Sequence, residues 1–166
     1  MSVYTLAIAL SLTLACVAVA RAQPLKLKQF DSWSVYSYKS GEKTACYALA
    51  APTDKKPATV DHGDNFFIVA PGGTKPSSWA PQAVMGYDLK PDARIRINIG
   101  DENFSMFSKG NNGWMEREER GPDIVRAMKS GRDMVLHATS RRGTATTYTY
   151  SLQGITAALQ SVQNCK

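Results

Sequence analysis

The stretch that decides the fold runs from Arg132 to Cys165 and reads RDMVLHATSRRGTATTYTYSLQGITAALQSVQNC. Apolar and polar residues alternate from Asp133 to Ser140 and again from Thr146 to Leu152, which predicts two strands. Between them, Arg141-Arg142-Gly143 predicts a turn, because glycine can take the positive φ that such a turn requires. After Gly154, apolar residues recur at helical spacing. This stretch therefore predicts a hairpin followed by a short helix.

The rest of the chain predicts more short strands and one further helix. The cleanest alternation runs from Arg94 to Ile99, where isoleucines alternate with polar residues, as in an antiparallel sheet with one face in water. Gln82–Leu89 is predicted as another strand, Gln23–Gln29 as a basic lead-in and Pro52–Asp64 as a loop. Pro122 to Gly131 predicts a helix, with proline at its start and glycine at its end. About eight or nine strands with two short helices indicate a mainly β fold, either an antiparallel β-sandwich or a flattened barrel.

The first 22 residues have the features of a secretory signal peptide. Leu6 to Val19 is almost unbroken apolar sequence, too short to span a bilayer, and Ala20-Arg21-Ala22 supplies the small residues of a cleavage site. A lipoprotein at Cys16 is the alternative, but the preceding Thr-Leu-Ala is a poor lipidation motif. We predict cleavage after Ala22, a single domain over residues 23–166, and a location in the periplasm, in the outer envelope or outside the cell.

Charge limits the classes of partner. Removing residues 1–22 leaves 144 of the 166 residues, and loss of Arg21 lowers the net charge from +6 to +5. A basic exported chain favours acidic partners, such as lipopolysaccharide, anionic lipid or an acidic protein. Nucleic acid is not predicted, because no motif combines aromatic and basic residues as nucleic-acid recognition does. No further stretch predicts a transmembrane segment, and the oligomeric state is not predicted.

Two cysteines remain after the predicted cleavage, Cys46 and Cys165. An even pair in an exported chain predicts a disulfide, which would tie the final helix to the second strand. A pair of free thiols is the alternative. Two cysteines are too few ligands for a structural zinc site.

The sequence predicts no catalytic, cofactor-binding or metal residue. His137 falls in the middle of a strand and is interpreted as a half-buried structural residue. The run Asp61-His62-Gly63-Asp64 offers three candidate ligands for a cation, but a plain solvated loop explains it better. Glu116, Glu118 and Glu119 could form a carboxylate pair. Their alternation with arginines favours an exposed face of mixed charge.

Three residues are predicted as a surface for a partner. Arg141 and Arg142, at the hairpin tip, could bind an acidic group, although a solubilising turn is the simpler interpretation. Trp79, in Ser78-Trp79-Ala80-Pro81, is predicted to be the most exposed of the three tryptophans.

Several blocks of this sequence resemble the invasion-associated locus B family of exported bacterial proteins. The blocks are Phe30-x-x-Trp33-x-Val35, Cys46 followed by an aromatic residue, Met85-Gly86-Tyr87-x-Leu89, Trp114, Ile124-Val125-Arg126-Ala127-Met128-Lys129-x-Gly131, Arg142-Gly143-Thr144, Tyr150-Ser151-Leu152-x-Gly154-x-x-x-Ala158-Leu159 and Cys165. One departure stands out, because related sequences often carry an acidic residue where this chain has Tyr148. The resemblance implies an all-β exported envelope protein without catalytic residues, linked in some bacteria to entry into host cells.

Three functions remain open. The first is a non-enzymatic envelope protein that binds another macromolecule of the envelope or of a host, with virulence as one possible setting. The second is a periplasmic hydrolase or lyase that uses a carboxylate or His137. The third is a structural, stress-linked component of the envelope.

Overall fold

Eleven strands pair in one antiparallel sheet across the residues described by a computed structural model of the protein, 23–72 and 78–165. The predicted signal peptide lies outside these residues. The strands are β1 Leu25–Phe30, β2 Trp33–Ser40, β3 Lys43–Ala50, β4 Asp54–Lys56, β5 Phe66–Pro71, β6 Trp79–Val84, β7 Arg94–Ile99, β8 Glu102–Lys109, β9 Asn112–Met115, β10 Asp133–Thr139 and β11 Ala145–Ser151. Their order across the sheet is β1-β2-β3-β5-β6-β9-β8-β7-β10-β11-β4.

The sheet curls so that strands distant in this order pack against each other. Phe67 on β5 meets Tyr150 on β11 with ring centroids 5.9 Å apart. The indole Nε1 of Trp33 on β2 donates a hydrogen bond to the carbonyl oxygen of Ser151, 3.0 Å away. Strands β1 and β4 each pair with a single neighbour and form the two open edges. The architecture is therefore mainly antiparallel β and sandwich-like, as predicted, rather than a closed barrel.

The alternation of β7 shows how the core is built. Ile95, Ile97 and Ile99 are buried, whereas Arg94 and Arg96 are exposed. Since successive side chains of a strand point to opposite faces, one face of β7 joins the apolar interior and the other meets water. This prediction is confirmed.

Two helices cover the inner face of the sheet. Helix α1, Gly121–Ser130, has proline in its first turn and buries Ile124, Val125 and Met128. Helix α2, Ile155–Gln163, follows the β10–β11 hairpin and packs on β1, β2, β3 and β5. Both helices fall where the apolar periodicity predicts them.

The β10–β11 hairpin and helix α2 are fixed by strand pairing and by the close packing of Gly154. Strands β10 and β11 pair in continuous register, from Asp133 opposite Ser151 to Thr139 opposite Ala145. Gly154 then starts α2 with φ of +88° and lies against the backbone carbonyl of Phe30, where no larger residue fits.

The predicted disulfide is present. It joins Cys46 on β3 to Cys165 just beyond α2, with the two Cα atoms 6.2 Å apart. The bond ties the segment after α2 to β3, which is the third strand rather than the predicted second, because the basic lead-in forms β1.

The structure corrects three predicted elements. The basic lead-in Gln23–Gln29 is largely strand β1, because its Leu-Lys alternation pairs with β2 despite exposure of both faces. The predicted loop Pro52–Asp64 contains β4, which adds three residues to the edge of β11. The predicted strand Gln82–Leu89 lies earlier, at Trp79–Val84, where pairing with Phe66–Pro71 fixes its register.

The predicted exposure of Trp79 is wrong, because only 7% of this side chain is exposed. Trp79 opens β6 opposite Pro71, and helix α1 packs on the same strand. The exposed tryptophan is Trp114 on β9, at 38%, whereas Trp33 is fully buried.

Candidate functional site

The tip of the β10–β11 hairpin presents the two predicted arginines on a well-defined turn. The Gly143 amide donates to the carbonyl of Ser140 at 2.8 Å, and the Ser140 amide donates to the carbonyl of Thr144 at 2.9 Å. The Ser140 hydroxyl accepts a further bond from the Thr144 amide, 3.1 Å away. Gly143 has φ of +89°, as the turn was predicted to require. Arg141 and Arg142 therefore project from a turn with several internal hydrogen bonds.

A depression of about 510 Å³ lies beside this tip. Hydroxyl groups form part of its wall, from Tyr87, Ser140, Thr144 and Thr146. Charged side chains form another part, from Asp61, Asp88, Arg141 and Arg142. Concave sites that combine charged groups with convergent hydroxyls are suited to binding a polar ligand.

The two arginines differ in their partners. Arg141 forms an ion pair with Asp88, with 3.4 Å between Nη2 and Oδ2, and its amide donates to the Asp88 carbonyl at 2.8 Å. Arg142 has no ion pair within the described part of the chain. One guanidinium is thus partly neutralised, and the other presents its donors to solvent at the mouth of the depression.

A chain of hydrogen-bonded side chains leads from the depression into the core. The hydroxyls of Tyr87 and Thr146 lie 2.6 Å apart, and that of Tyr148 is 3.1 Å from that of Tyr87. Nδ1 of His62 lies 2.8 Å from the Tyr148 hydroxyl. Its Nε2 is 2.9 Å from the Pro57 carbonyl, which can only accept, so Nε2 carries a proton.

Shared hydrogen-bond partners link the depression to the buried ring of His62. The Tyr148 hydroxyl lies within hydrogen-bond distance of both Nδ1 of His62 and the Tyr87 hydroxyl. The Tyr87 hydroxyl, which lines the depression, is therefore coupled to a buried histidine.

Close backbone packing holds the loop of His62 against the loop of Tyr87. A Cβ on Gly86 would come within 2.6 Å of the Asp64 amide nitrogen, so only glycine allows this approach. The buried Asn65 joins the two loops, since its Nδ2 donates to the His62 carbonyl at 2.8 Å and its Oδ1 accepts from the Gly86 amide at 3.2 Å.

The hydroxyls of Tyr148 and Tyr150 provide a matched pair for mutation. We expect Tyr148→Phe to lower the free energy of unfolding by about 1 to 3 kcal/mol, because it removes the buried partner of His62 Nδ1. Tyr150→Phe should change it by less than about 0.5 kcal/mol or raise it, because the Tyr150 hydroxyl is buried with no hydrogen-bond partner in the described residues. Urea unfolding of both variants measures the difference, and equal costs would contradict the network.

Because of Tyr148 and Tyr150, we expect the free energy of unfolding to fall at alkaline pH. Burial raises the pKa of Tyr148 well above its usual value, and the hydrogen bond with Tyr87 raises it further. Burial also raises the pKa of Tyr150. Below about pH 10 both residues are protonated in the folded and unfolded states. Above it the unfolded chain loses their protons first, so the free energy of unfolding falls with pH.

The expected slope above pH 10 is about 1.4 kcal/mol per pH unit for each tyrosine. Urea unfolding between pH 8 and pH 11.5 measures it in the wild-type protein. The double variant Tyr148→Phe, Tyr150→Phe serves as the comparison and should lose stability less steeply. Parallel curves for the two proteins would show that other groups cause the loss.

The other candidates from the sequence lie apart from a common site. His137 is half-buried on β10, as predicted, with Nδ1 3.1 Å from the Thr147 hydroxyl. Glu116, Glu118 and Glu119 are exposed, and Glu116 pairs with Arg94 at 2.8 Å.

Two side chains of the Asp61–Asp64 run, those of Asp61 and His62, have hydrogen-bond partners within the fold. Both ring nitrogens of His62 have partners, and an Asp61 carboxylate oxygen accepts from the Gly63 amide at 2.9 Å. Within residues 23–72 and 78–165, no group of three or more histidine, cysteine or acidic side chains could hold a metal ion.

Sequence reasoning missed the chain from His62 through Tyr148 to Tyr87. The three residues are 86 and 61 positions apart along the chain, and only the fold brings them together. The one available signal was Met85-Gly86-Tyr87, a block already associated with the family resemblance, which contains both the tight glycine and the hydroxyl.

The fold and this site define a disulfide-linked, sandwich-like β protein with a polar depression at one hairpin tip. The chain belongs to the family described as "Invasion associated locus B (IalB) protein", whose sequence profile matches residues 33–163. The resemblance seen in the sequence is therefore confirmed. No curated protein matches the chain.

A solved structure shares the fold. The crystal structure of invasion associated protein b from Bartonella henselae superposes with a TM-score of 0.62, over 82% of this chain and 95% of that one. The two sequences are 11% identical, so the similarity establishes the fold alone. Of the helices within the described residues, none has the length and apolar character to cross a bilayer.

Proposed function

We propose that the protein is exported to the cell envelope and binds, without catalysis, an acidic group of another macromolecule at the hairpin-tip depression. The observation that carries the proposal is the geometry of Arg142. Its guanidinium has no ion pair in the described residues and stands at the mouth of a depression lined with hydroxyls. Arginine is suited to carboxylate and phosphate groups because its planar fork can donate two parallel hydrogen bonds.

Family and chemistry support the remaining parts of the proposal. The predicted signal peptide and the disulfide fit an oxidising compartment outside the cytoplasm. A hydrolase or lyase built on His137 has less support, because its cross-strand neighbours are Arg96 and Thr147 rather than a carboxylate. A purely structural role does not require an unpaired arginine beside hydroxyl groups.

The test compares binding of wild-type protein and variants to two sources of acidic groups. One arm uses bacterial envelope extract, and the other uses membranes from a host cell. We expect Arg142→Glu to reduce capture at least about tenfold, and Tyr87→Phe to reduce it less, because the first places like charge against the ligand. Capture should also weaken with salt, as expected for an exposed ionic contact.

Arg132→Glu is the matched control, because it makes the same charge change at the opposite end of β10, where the side chain is 93% exposed. It should bind like wild type. Equal capture by Arg142→Glu and wild-type protein in both arms would refute the proposed site. A turnover that is lost when His137 is replaced would refute the non-enzymatic proposal.

A further inference from the structure

A second depression, of about 560 Å³, lies at the end of β6 and β9, away from the hairpin tip. Its walls are largely apolar, with Trp79, Pro81, Phe107, Trp114 and Met115. Trp114 and Phe107 sit opposite each other on β9 and β8 and are 38% and 45% exposed. Single exposed apolar residues are ordinary, but a concave apolar patch with two exposed aromatic rings indicates a contact surface.

Two carboxylates stand at the edge of this apolar groove. Glu118 and Glu119 lie on the short 3-10 helix Glu118–Arg120 and line the same depression. Neither has an ion pair within the described part of the chain, in contrast to Glu116, which is paired with Arg94 at 2.8 Å. The groove therefore combines an apolar wall with unpaired negative charge.

The edge strand β1 has the complementary pattern. Its sequence LKLKQF places Leu25 and Leu27 in solvent, 64% and 46% exposed, beside Lys26 and Lys28. Neither lysine has an ion pair among the described residues. Strand β1 pairs only with β2, so its outer edge is also open to a partner. An open edge strand with exposed leucines offers a surface for pairing with another chain.

We infer that these two features are halves of one interface, in which β1 of a second copy of this chain lies in the groove. Because successive side chains of a strand point to opposite faces, the leucines would contact the rings of Phe107 and Trp114 from one face of β1, and the lysines on its other face would meet Glu118 and Glu119. Each copy carries one strand and one groove, so two copies can bind reciprocally and form a closed two-fold dimer. The alternation of apolar and basic residues on β1 matches the apolar and acidic composition of the groove. This surface is distinct from the hairpin-tip site.

Charge reversal gives a stringent test by sedimentation equilibrium. We expect the wild-type protein to dimerise with increasing concentration. The groove variant Glu118→Lys, Glu119→Lys and the strand variant Lys26→Glu, Lys28→Glu should each dimerise at least about tenfold more weakly, because both contacts become repulsive. An equimolar mixture should recover dimerisation, since groove lysines then meet strand glutamates and groove glutamates meet strand lysines.

The control for the strand variant is Lys43→Glu, Lys90→Glu, which makes the same net charge change at exposed positions outside both surfaces. It should dimerise like wild type, and all variants should retain the wild-type circular dichroism spectrum. A wild-type protein that stays monomeric up to about 0.5 mM, well above the affinity range of stable dimers, would overturn the inference. A mixture of the two variants that stays monomeric, while the wild type dimerises, would overturn it equally.

Discussion

Replacing Cys46 and Cys165 by alanine should lower the free energy of unfolding by about 2 to 5 kcal/mol. The disulfide joins cysteines with a sequence separation of 119, and in the chain-entropy model such a long loop strongly restricts the unfolded chain. The bond also ties the end of α2 to β3, and α2 covers the inner face at β1, β2 and β3. Losing it should therefore loosen the helix that closes the core.

Urea unfolding of the oxidised protein, the reduced protein and the double variant measures this effect. Reduced wild-type protein is the matched control, because it keeps both sulfur atoms, and it should resemble the double variant. A stability difference below about 1 kcal/mol between oxidised and reduced protein would contradict a structural role for the disulfide. Mass spectrometry of protein purified after export should show both cysteines oxidised.

Trp33→Ala should destabilise the protein by about 3 to 5 kcal/mol. The indole is fully buried, and its Nε1 donates to the Ser151 carbonyl of β11, 3.0 Å away. The change therefore leaves a large cavity and also removes a hydrogen bond between the two halves of the curled sheet.

Trp114→Ala is the matched control for Trp33→Ala. The Trp114 side chain is 38% exposed and leaves no fully enclosed cavity, so removing it should cost less than Trp33→Ala, about 1 to 2 kcal/mol. Both variants are compared with wild type by guanidinium unfolding at the same pH. Similar losses for the two would show that the interior is not organised around Trp33.

The pattern of apolar and polar residues correctly predicted the strands and helices that bury only one face. The isoleucines of β7 and the helix Gly121–Ser130 each bury one face, so their periods appear directly in the sequence. The β10–β11 hairpin was predictable for the same reason, with Gly143 marking its turn. The disulfide was predicted from the count of cysteines that follow the predicted signal peptide.

Strands whose position is fixed by pairing with other strands were not predicted correctly from the sequence. Both faces of β1 are exposed, so the sequence pattern does not show which face points toward the core. Strand β4 has only three residues, too few for a pattern to be recognised. Trp79 was predicted to be exposed because Ser78 and Pro81, which lie close to it in the sequence, are typical of a loop. Its burial depends on β6 pairing with β5 and on the packing of α1, which are contacts between distant parts of the chain.

Only the arginines of the candidate site could be predicted from the sequence. Arg141 and Arg142 were identified because a turn between two strands must lie at the end of a hairpin. Two of the hydroxyls that line the depression come from Tyr87 and Thr146, which are separated by 59 positions. Their proximity arises from the sheet register and from the tight packing of Gly86, neither of which is visible in a single sequence.

Photo-crosslinking in intact cells tests most directly whether the hairpin-tip depression binds a macromolecule. A p-benzoylphenylalanine in place of Val60, which lines the depression and is 37% exposed, reports on this surface, and the same group in place of Lys129 on α1 is the control. We expect a defined adduct from position 60 that disappears when Arg142→Glu is added, and none from position 129. An identical adduct pattern from both positions, unaffected by Arg142→Glu, would contradict the proposed function.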